Sequence, residues 1–170
     1  DKALSLLASA PARVAILKSV TIEAYCQLVP KHPYLRYDTP VETLLNGGVA
    51  LPNRLMVFVS LAAVYAFRVK ATSIYIGVQN EPGSAEGRVH DTSQGLVDAL
   101  EWVLRGSVAE GYPYMKLRAP LVDMSKAQIL AEARERGIRV EDTYSCHLGK
   151  LTPCGKCSSC QSIYRVTGGA

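Results

Sequence analysis

The chain has 170 residues, of which 48% are hydrophobic, and this predicts one domain with a buried core that is mainly aliphatic because aromatics are only 7%. The net charge is only +4, without runs of like charge or interleaved basic and aromatic residues, so we expect no direct nucleic-acid partner. Because no apolar stretch reaches the roughly 18 residues of a membrane span and no signal-peptide pattern opens the chain, we expect no membrane contact and a cytoplasmic location.

The first fifty residues predict three short elements and one long loop. Residues 2–9 have helical spacing, residues 13–17 form an apolar run of strand length, and Thr21 can cap a short helix over residues 22–28. Residues 30–48 lack periodicity and contain several prolines and a glycine pair, which indicates a long loop of a kind that is usually functional or mobile. Since the chain opens on a helical pattern without an initiator methionine, we expect that a further segment precedes it.

Helices and strands alternate over the middle of the chain. Residues 54–70 form the clearest helix, which is apolar nearly all round and is therefore expected to be buried. Residues 71–78 predict a buried strand, and residues 92–105 predict an amphipathic helix. A second strand is expected over residues 114–120, and a third helix over residues 126–136.

This alternation predicts an α/β fold with a parallel sheet and flanking helices. Ser125 is a favourable N-cap for the third helix, and Gly137 is a favourable residue to end it. In such sheets, ligands bind outside the carboxyl ends of the strands. We therefore expect the chemistry in the loops that follow Val78 and Ala119.

Four of the five cysteines lie within fifteen residues near the C-terminus, with the spacing C-x7-C-x2-C-x2-C: Cys146, Cys154, Cys157 and Cys160. Zn²⁺ prefers thiolate ligands, and a closed structural site takes four of them in a tetrahedron. The small residues between the last three cysteines allow tight turns. We therefore predict a structural zinc site in residues 143–170, following an α/β domain over residues 1–142.

The alternative for this cluster is a pair of disulfides, which belong to oxidising compartments, or thiols without a role. Because four cysteines already complete a tetrahedron, His147 is expected to be a surface or site-lining residue. The fifth cysteine, Cys26, stands alone and fits a small buried hydrophobic residue.

Several motifs occur together in a familiar order. These are Leu51-Pro52-Asn53-Arg54 before the apolar helix, Asp91 after the first strand, Ser125-Lys126-Ala127 at the third helix, and Thr143-Tyr144-Ser145-Cys146 with the cysteine run. In this combination, from about residue 50 to residue 160, the chain resembles the 7-cyano-7-deazaguanine synthases of the QueC/ExsB family. These are N-type ATP pyrophosphatases with an adenine nucleotide alpha-hydrolase-like fold.

The resemblance implies an ATP-dependent ligase that forms C–N bonds. Members of the family convert 7-carboxy-7-deazaguanine to the nitrile, on the route to queuosine. The carboxylate is adenylated, ammonia gives the amide, and a second activation dehydrates it. The resemblance thus implies ATP with Mg²⁺ as a substrate, ammonia, a small-molecule acid, a structural Zn²⁺ and a homodimer.

By the same resemblance, Arg54 and Lys126 are candidate catalytic and ATP-binding residues, and Asp91 is a candidate substrate-binding residue. A cation in the first turn of a helix is unfavourable with respect to the helix dipole, so each basic residue favours a phosphate partner over the alternative of a solvated helix end. The Asp91 carboxylate can accept two N–H groups of a guanine-like edge, or it can cap the helix predicted from residue 92.

The chain also departs from the family pattern. The nucleotide loop Ser-Gly-Gly-x-Asp-Ser does not occur, and Gly47-Gly48 lacks its flanking residues. Residues expected to surround the substrate also differ from the family: Leu55, Thr92, Ser93 and Ile163. Two alternatives therefore stay open: a QueC-like paralogue that acts on another substrate, including a protein, and a binding module that keeps only the fold and the zinc.

Overall fold

The computed structural model describes residues 22–28, 51, 53–79, 93–107, 114–148 and 152–168. The elements of this part are, in chain order, α1 (Glu23–Leu28), α2 (Arg54–Arg68), β1 (Ser73–Tyr75), α3 (Gln94–Gly106), β2 (Lys116–Arg118), α4 (Lys126–Glu135), a 3-10 helix (Val140–Asp142) and α5 (Ser158–Thr167). The helix predicted over 2–9, the strand over 13–17, the loop over 30–48, the Thr21 cap and the Cys26 side chain lie outside the described residues.

Two compact units make up the chain. One comprises residues 50–129, and the other comprises residues 1–49 together with residues 130–170. The division falls within helix α4, between Ile129 and Leu130. None of the helices in the described ranges is long and apolar enough to cross a membrane.

A parallel pair of strands is the centre of the unit that spans residues 50–129. Strands β1 and β2 pair in parallel, with Tyr75 opposite Arg118. The ladder continues on both sides, because the Ile76 N–H donates to the Arg118 carbonyl and the Lys116 N–H donates to the Thr72 carbonyl, each at 2.9 Å. Helix α3 lies between the two strands in sequence. The predicted α/β fold with a parallel sheet is confirmed.

The core of this unit consists of one face of the strand pair together with α2 and α3. Within the strands, Ile74 and Leu117 are buried while Tyr75 and Arg118 are exposed, as the two-residue period of a strand requires. The cluster is almost entirely aliphatic, as its composition predicts: Leu55, Val59, Ala66, Ile74, Val97, Leu100, Leu104, Met115 and Leu117.

Helix α2 buries only one side. Leu55, Val59 and Ala66 are buried, whereas Phe58 is 53% exposed and Val64 is 70% exposed. The prediction that this helix is buried all round is therefore wrong. With 3.6 residues per turn, one neighbouring layer covers one stripe of a helix, and an apolar outer side needs a second layer to cover it.

The first residue of α3 shows which side chain caps this helix. The helix begins at Gln94, and the side chain of Ser93 accepts a hydrogen bond from the Leu96 N–H at 3.3 Å. Ser93 is therefore the N-cap, a role that its short hydroxyl fills well. The alternative role of Asp91 as the cap of this helix is wrong, and Asp91 itself lies outside the described residues.

Helix α4 has the ends that the sequence predicts. At its start, the Gln128 N–H donates to the Ser125 hydroxyl at 3.3 Å, and the Ser125 N–H donates to the Gln128 side-chain oxygen at 2.8 Å. This reciprocal pair is a capping box. At its end, Gly137 has a φ of 74°, and the Ile138 N–H donates to the Ala133 carbonyl at 2.8 Å. These contacts satisfy backbone groups that a helix end otherwise leaves unpaired.

A carboxylate on α3 ties this helix to β2. Glu101 accepts hydrogen bonds from the Leu117 N–H and the Arg105 guanidinium, each at 2.9 Å, and from the Tyr114 hydroxyl. Arg105 also lies over the Tyr114 ring, 4.3 Å from its centroid. The hydrogen bond from Tyr114, opposed by burial and supported by Arg105 and Leu117, lowers the pKa of Glu101 from 4.5 to about 2.

We predict that Glu101→Gln destabilises the protein, because it removes the charge that these three donors share. Hydrogen bonds to a charged group contribute more than neutral ones, so we expect a loss of about 1–2 kcal/mol in unfolding free energy. Glu132→Gln is the matched control, since Glu132 pairs with Arg136 one turn away on the exposed side of α4 and should cost less than about 0.5 kcal/mol. Urea unfolding of both variants tests this, and equal losses would contradict it.

The same carboxylate predicts a pH dependence. A carboxyl whose pKa is lowered by folding stabilises the native state above its usual pKa, and this contribution is lost as pH falls through the folded value. The Glu101 contribution should therefore be complete above pH 4.5 and should disappear as pH falls towards 2. The difference in unfolding free energy between the native sequence and Glu101→Gln should shrink over that window, and a difference that is constant with pH would disprove the assignment.

Candidate metal centre

The four C-terminal cysteines converge. The sulfur atoms of Cys146, Cys154, Cys157 and Cys160 all lie within 4.8 Å of one another, and the Cys154 and Cys160 sulfurs are 4.0 Å apart. Three of the four residues are buried, and Cys157 has no exposed surface. The prediction that these cysteines form one cluster is confirmed. The exposed His147 is not part of it.

Backbone amides surround the sulfurs. The Cys154 N–H points at the Cys146 sulfur at 3.3 Å, and the N–H groups of Lys156 and Cys157 point at the Cys154 sulfur at 3.4 Å. These donors are available because a two-residue step between cysteines forms a tight turn whose amides face inward. Hydrogen bonds from amides favour the thiolate form of cysteine over the thiol.

Helix α5 begins at the cluster. Cys157 is its N-cap, and the Cys157 sulfur accepts a hydrogen bond from the Cys160 N–H at 3.5 Å. The Cys160 side chain then projects from the first turn of the helix. The positive end of the helix dipole thus lies at the sulfur atoms, and it stabilises negative charge there.

The turn between Cys154 and Cys157 depends on a glycine. Gly155 has a φ of 70°, a conformation that side-chain-bearing residues rarely adopt. A Cβ at this position would lie 3.2 Å from the Tyr164 hydroxyl oxygen. The Gln161 side-chain amide holds the same peptide from the other side, because it donates to the Gly155 carbonyl at 2.6 Å. Two residues of α5 therefore fix the turn that carries the cysteines.

Tyr144 and Leu148 supply the apolar wall of the cluster on the Cys146 side. The Tyr144 hydroxyl oxygen is buried. Burial and, after it, a hydrogen bond with Cys146 raise the pKa of Tyr144, so this phenol stays protonated. A wall of this kind excludes water from the sulfur atoms and so protects bonds between sulfur and a metal from hydrolysis.

The protons on the sulfur atoms are held unequally. Burial raises the pKa of Cys154, but hydrogen bonds from the Lys156 and Cys157 amides outweigh it and lower that pKa to about 6. Burial, together with a hydrogen bond to Cys157, raises the pKa of Cys160 to about 12. The lowered pKa favours the thiolate form of Cys154 at neutral pH, and a metal must displace the proton that Cys160 retains.

The arrangement can hold a metal ion. With a Zn–S distance of about 2.3 Å, the corners of a tetrahedral thiolate site lie about 3.8 Å apart. The observed sulfur atoms, all within 4.8 Å of one another, need to contract by at most about 1 Å to reach that geometry. Four soft donors, inward-facing amides and a helix N-terminus together fit a doubly charged, sulfur-preferring ion.

The other candidate residues belong to the unit that spans residues 50–129. Arg54 is the first residue of α2, and Lys126 is the first residue of α4, so both lie at helix N-termini as the sequence predicts. Both side chains are half-buried. Asp91 lies outside the described residues. Among the departures from the family pattern, Leu55 is buried in the core and Ile163 is half-buried on α5.

Several residues of the centre do not stand out in the sequence. Tyr164 and Gln161 support the Gly155 turn, and they could be found only if Cys157 were recognised as an N-cap, which places both on the first two turns of α5. Tyr144 has a clearer signal, because it lies two residues before the first cysteine and is therefore close to the sulfur atoms in any fold.

The fold and the cluster together define the class of protein: an α/β chain with parallel strands and a four-cysteine candidate metal centre near its C-terminus. A family model described as "Queuosine biosynthesis protein QueC" matches residues 33–167, which include all four cysteines. The chain belongs to the QueC family.

Individual relatives agree with this assignment. The 7-cyano-7-deazaguanine synthase of Aquifex aeolicus is 31% identical over 135 residues, which cover 78% of this chain and 57% of that protein. The enzyme of the same name from Campylobacter jejuni is 32% identical over 140 residues, which cover 82% and 57%. That from Prochlorococcus marinus is 32% identical over 127 residues, which cover 73% and 56%. The chain spans about half the length of the curated relatives it matches.

We predict that Gly155→Ala weakens metal binding. The added Cβ strains a backbone with positive φ and pushes the Tyr164 ring away, so the turn that carries two ligands opens; we expect a loss of stability of about 2 kcal/mol and faster metal release. Gly137→Ala is the matched control, because Gly137 has a φ of 74° but no atom of the described residues lies within 4 Å of an added Cβ. It should cost about 1 kcal/mol and leave metal release unchanged.

Metal release to a chromophoric chelator, measured for both variants beside the native sequence, separates the two effects. If Gly137→Ala accelerates release as much as Gly155→Ala does, general destabilisation explains the result and the specific role of the Gly155 turn is disproved.

Proposed function

We propose that this chain is part of an ATP-dependent ligase that converts 7-carboxy-7-deazaguanine, or a closely related acid, to the nitrile by adenylation and addition of ammonia. The observation that carries the proposal is the convergence of four cysteine sulfurs inside a region that matches the QueC family model. Relatives that are 31% and 32% identical to this chain over the aligned residues are named 7-cyano-7-deazaguanine synthases. The product of such an enzyme serves queuosine biosynthesis.

The metal in this proposal is a structural Zn²⁺ held by Cys146, Cys154, Cys157 and Cys160. Four sulfur ligands fill a tetrahedron and leave no position for water or substrate, so the ion supplies folding energy and not catalysis. Residues 143–170 then form a zinc-binding segment that follows an α/β domain over residues 1–142. The zinc fixes the loop between Cys146 and Cys154 and the start of α5.

Arg54 and Lys126 are the proposed phosphate ligands and electrostatic catalysts. Each begins a helix, where the positive end of the helix dipole attracts an anion. Adenylation leaves pyrophosphate carrying the displaced negative charge, and a guanidinium or an ammonium at that oxygen stabilises the transition state. ATP would bind with Mg²⁺, which shares the same charge.

Asp91 is the proposed residue for substrate recognition. A carboxylate accepts two parallel N–H donors, which matches the amino-pyrimidinone edge of a deazaguanine. Adenylation turns the substrate carboxylate into an electrophile with a good leaving group, and ammonia then attacks its carbon. A second ATP adenylates the amide oxygen, and loss of two protons from nitrogen with departure of AMP, which carries that oxygen, gives the nitrile.

The proposal includes a cytoplasmic location, small-molecule partners only and a homodimer. The apolar outer side of α2, where Phe58 is 53% exposed and Val64 is 70% exposed, supports a covering partner for this helix. A second copy of the chain is the simplest such partner.

A different acid, including one on a protein, is the second candidate substrate. Leu55 takes the place of the family's asparagine, and its side chain is buried among aliphatic residues, where it packs instead of contacting a polar substrate. Thr92, Ser93 and Ile163 also differ from the family pattern. Ser93 caps α3, so its hydroxyl serves the fold.

The activity test uses the full-length gene product that contains this chain. With ATP, ammonium and 7-carboxy-7-deazaguanine, we expect the nitrile by mass spectrometry. Lys126→Ala should lower kcat/KM by about a hundredfold or more, by loss of charge stabilisation. Arg136→Ala, which removes a cation just beyond the other end of the same helix, should change it less than about twofold. If ATP binds but no nitrile forms, another acid is the substrate; if ATP does not bind, the ligase proposal fails.

The metal test needs only the purified chain. We expect about one Zn²⁺ per chain by elemental analysis, because four thiolates close a single tetrahedral site. Cys157→Ser should lose the metal and lower the melting temperature, since structural zinc contributes folding energy. Cys26→Ser is the control and should keep the metal. Full zinc content in Cys157→Ser would refute the assignment of these ligands.

A further inference from the structure

Gln79 carries a buried amide nitrogen that the fold does not use. The side-chain Nε2 has no hydrogen-bond partner in the part of the chain that the structure describes, although the atom is shielded from solvent. Folded proteins pair nearly all buried polar atoms, because an unpaired one loses its hydration without compensation. An unpaired buried atom is therefore unusual in a folded protein. A bound molecule that supplies the missing hydrogen bond is one explanation for it.

The position of Gln79 is that of a ligand-binding residue in an α/β fold. It lies four residues beyond Tyr75, the last residue of β1, after the ladder closes with the bond from the Ile76 N–H to Arg118. It is therefore at the carboxyl end of a strand in a parallel pair, which is the edge where such sheets bind ligands.

The residues just before Gln79 leave space beside it. Ile76 and Val78 pack against the aliphatic core, whereas Tyr75 and Gly77 are exposed. Gln79 continues this alternation on the side of Gly77. Among the described residues, no atom lies within 4 Å of a Cβ added at Gly77, so the backbone there has room for a ligand atom two residues before Gln79.

We propose that Gln79 binds the polar edge of a purine-like base, whose ring lies over Gly77. This inference rests on the proposed function, which supplies two such bases: the adenine of ATP and the deazaguanine of the substrate. A neutral amide offers one donor and one acceptor side by side, and it therefore matches a ring edge that presents an acceptor next to a donor. Phosphate and carboxylate groups form stronger hydrogen bonds with the charged side chains of Lys and Arg than with a neutral amide. An uncharged base is therefore the ligand that Gln79 favours.

The proposal predicts that a substitution at Gln79 weakens ligand binding without lowering the stability of the ligand-free protein. Because the amide nitrogen contributes no hydrogen bond to the described fold, Gln79→Leu should leave the melting temperature of the ligand-free protein unchanged or raise it. The same substitution should weaken binding of one base by about tenfold, which corresponds to the loss of one or two hydrogen bonds.

Isothermal titration of the full-length zinc protein with AMP, and separately with 7-carboxy-7-deazaguanine, tests this and identifies the base. Gly77→Ala should weaken binding of the same ligand without lowering the melting temperature, because its Cβ would meet the ring and meets no atom of the described residues. Gln94→Leu is the control, since Gln94 is an exposed glutamine whose side chain donates a hydrogen bond to Asp98 on its own helix. It should leave both affinities within about twofold of the native values. Gln79→Glu keeps the size of the side chain and replaces the donor with an acceptor.

If Gln79→Leu weakens the binding of AMP alone, Gln79 binds adenine. If it weakens the binding of 7-carboxy-7-deazaguanine alone, Gln79 binds the substrate base. If the native protein binds either compound and neither Gln79→Leu nor Gln79→Glu changes its affinity, the inference is overturned while the proposed function stands. If the melting temperature of Gln79→Leu falls and affinity does not, Gln79 is structural and the inference is overturned as well. If the native protein binds neither compound, the proposed function fails and takes the inference with it.

Discussion

The gathering of four sulfur atoms is the constraint on which the C-terminal part of the chain depends. Two unit charges 4 Å apart repel by about 1 kcal/mol in water and by several times more in a protein interior, so four neighbouring thiolates do not persist without a cation. The loop from Cys146, the Gly155 turn and the first turn of α5 all bring sulfur atoms to one point. The amides and the helix dipole reduce the repulsion, and a metal ion removes it.

The unit that spans residues 50–129 depends on a different interaction. Two three-residue strands bury little surface by themselves, and a sheet of this size needs helices against it. Glu101 joins α3 to the backbone of β2 at Leu117, and the aliphatic side chains of both elements pack beside that link. The parallel pairing of β1 and β2 brings Gln79 and the segment after Ala119 to the same edge of the sheet.

Much of this could be predicted from the sequence, because the signals were local. The alternation of helices and strands, the Ser125 cap and the cysteine spacing each lie within a few residues. The predictions that failed depend on residues distant in the sequence, or on a choice between two neighbouring residues that can both cap a helix. The periodicity of apolar residues does not show how many sides of α2 other elements cover. Asp91 and Ser93 lie two residues apart and are both good capping residues, so the sequence does not decide between them until the first residue of α3 is known. The hydrogen bond between Glu101 and Leu117 joins residues that are sixteen positions apart, and no periodic pattern in the sequence indicates it.

The distribution of satisfied polar groups gives a physical argument about where function lies. Glu101 has three donors, Ser125 exchanges hydrogen bonds with Gln128, and Ser93 holds the start of α3. Each of these groups stabilises the fold with partners supplied by the chain itself. The buried amide of Gln79 costs stability in the described fold, and it does so at the edge where parallel sheets bind their ligands. The protein can bear that cost when a ligand supplies the missing partner, because binding then recovers free energy that folding left unused.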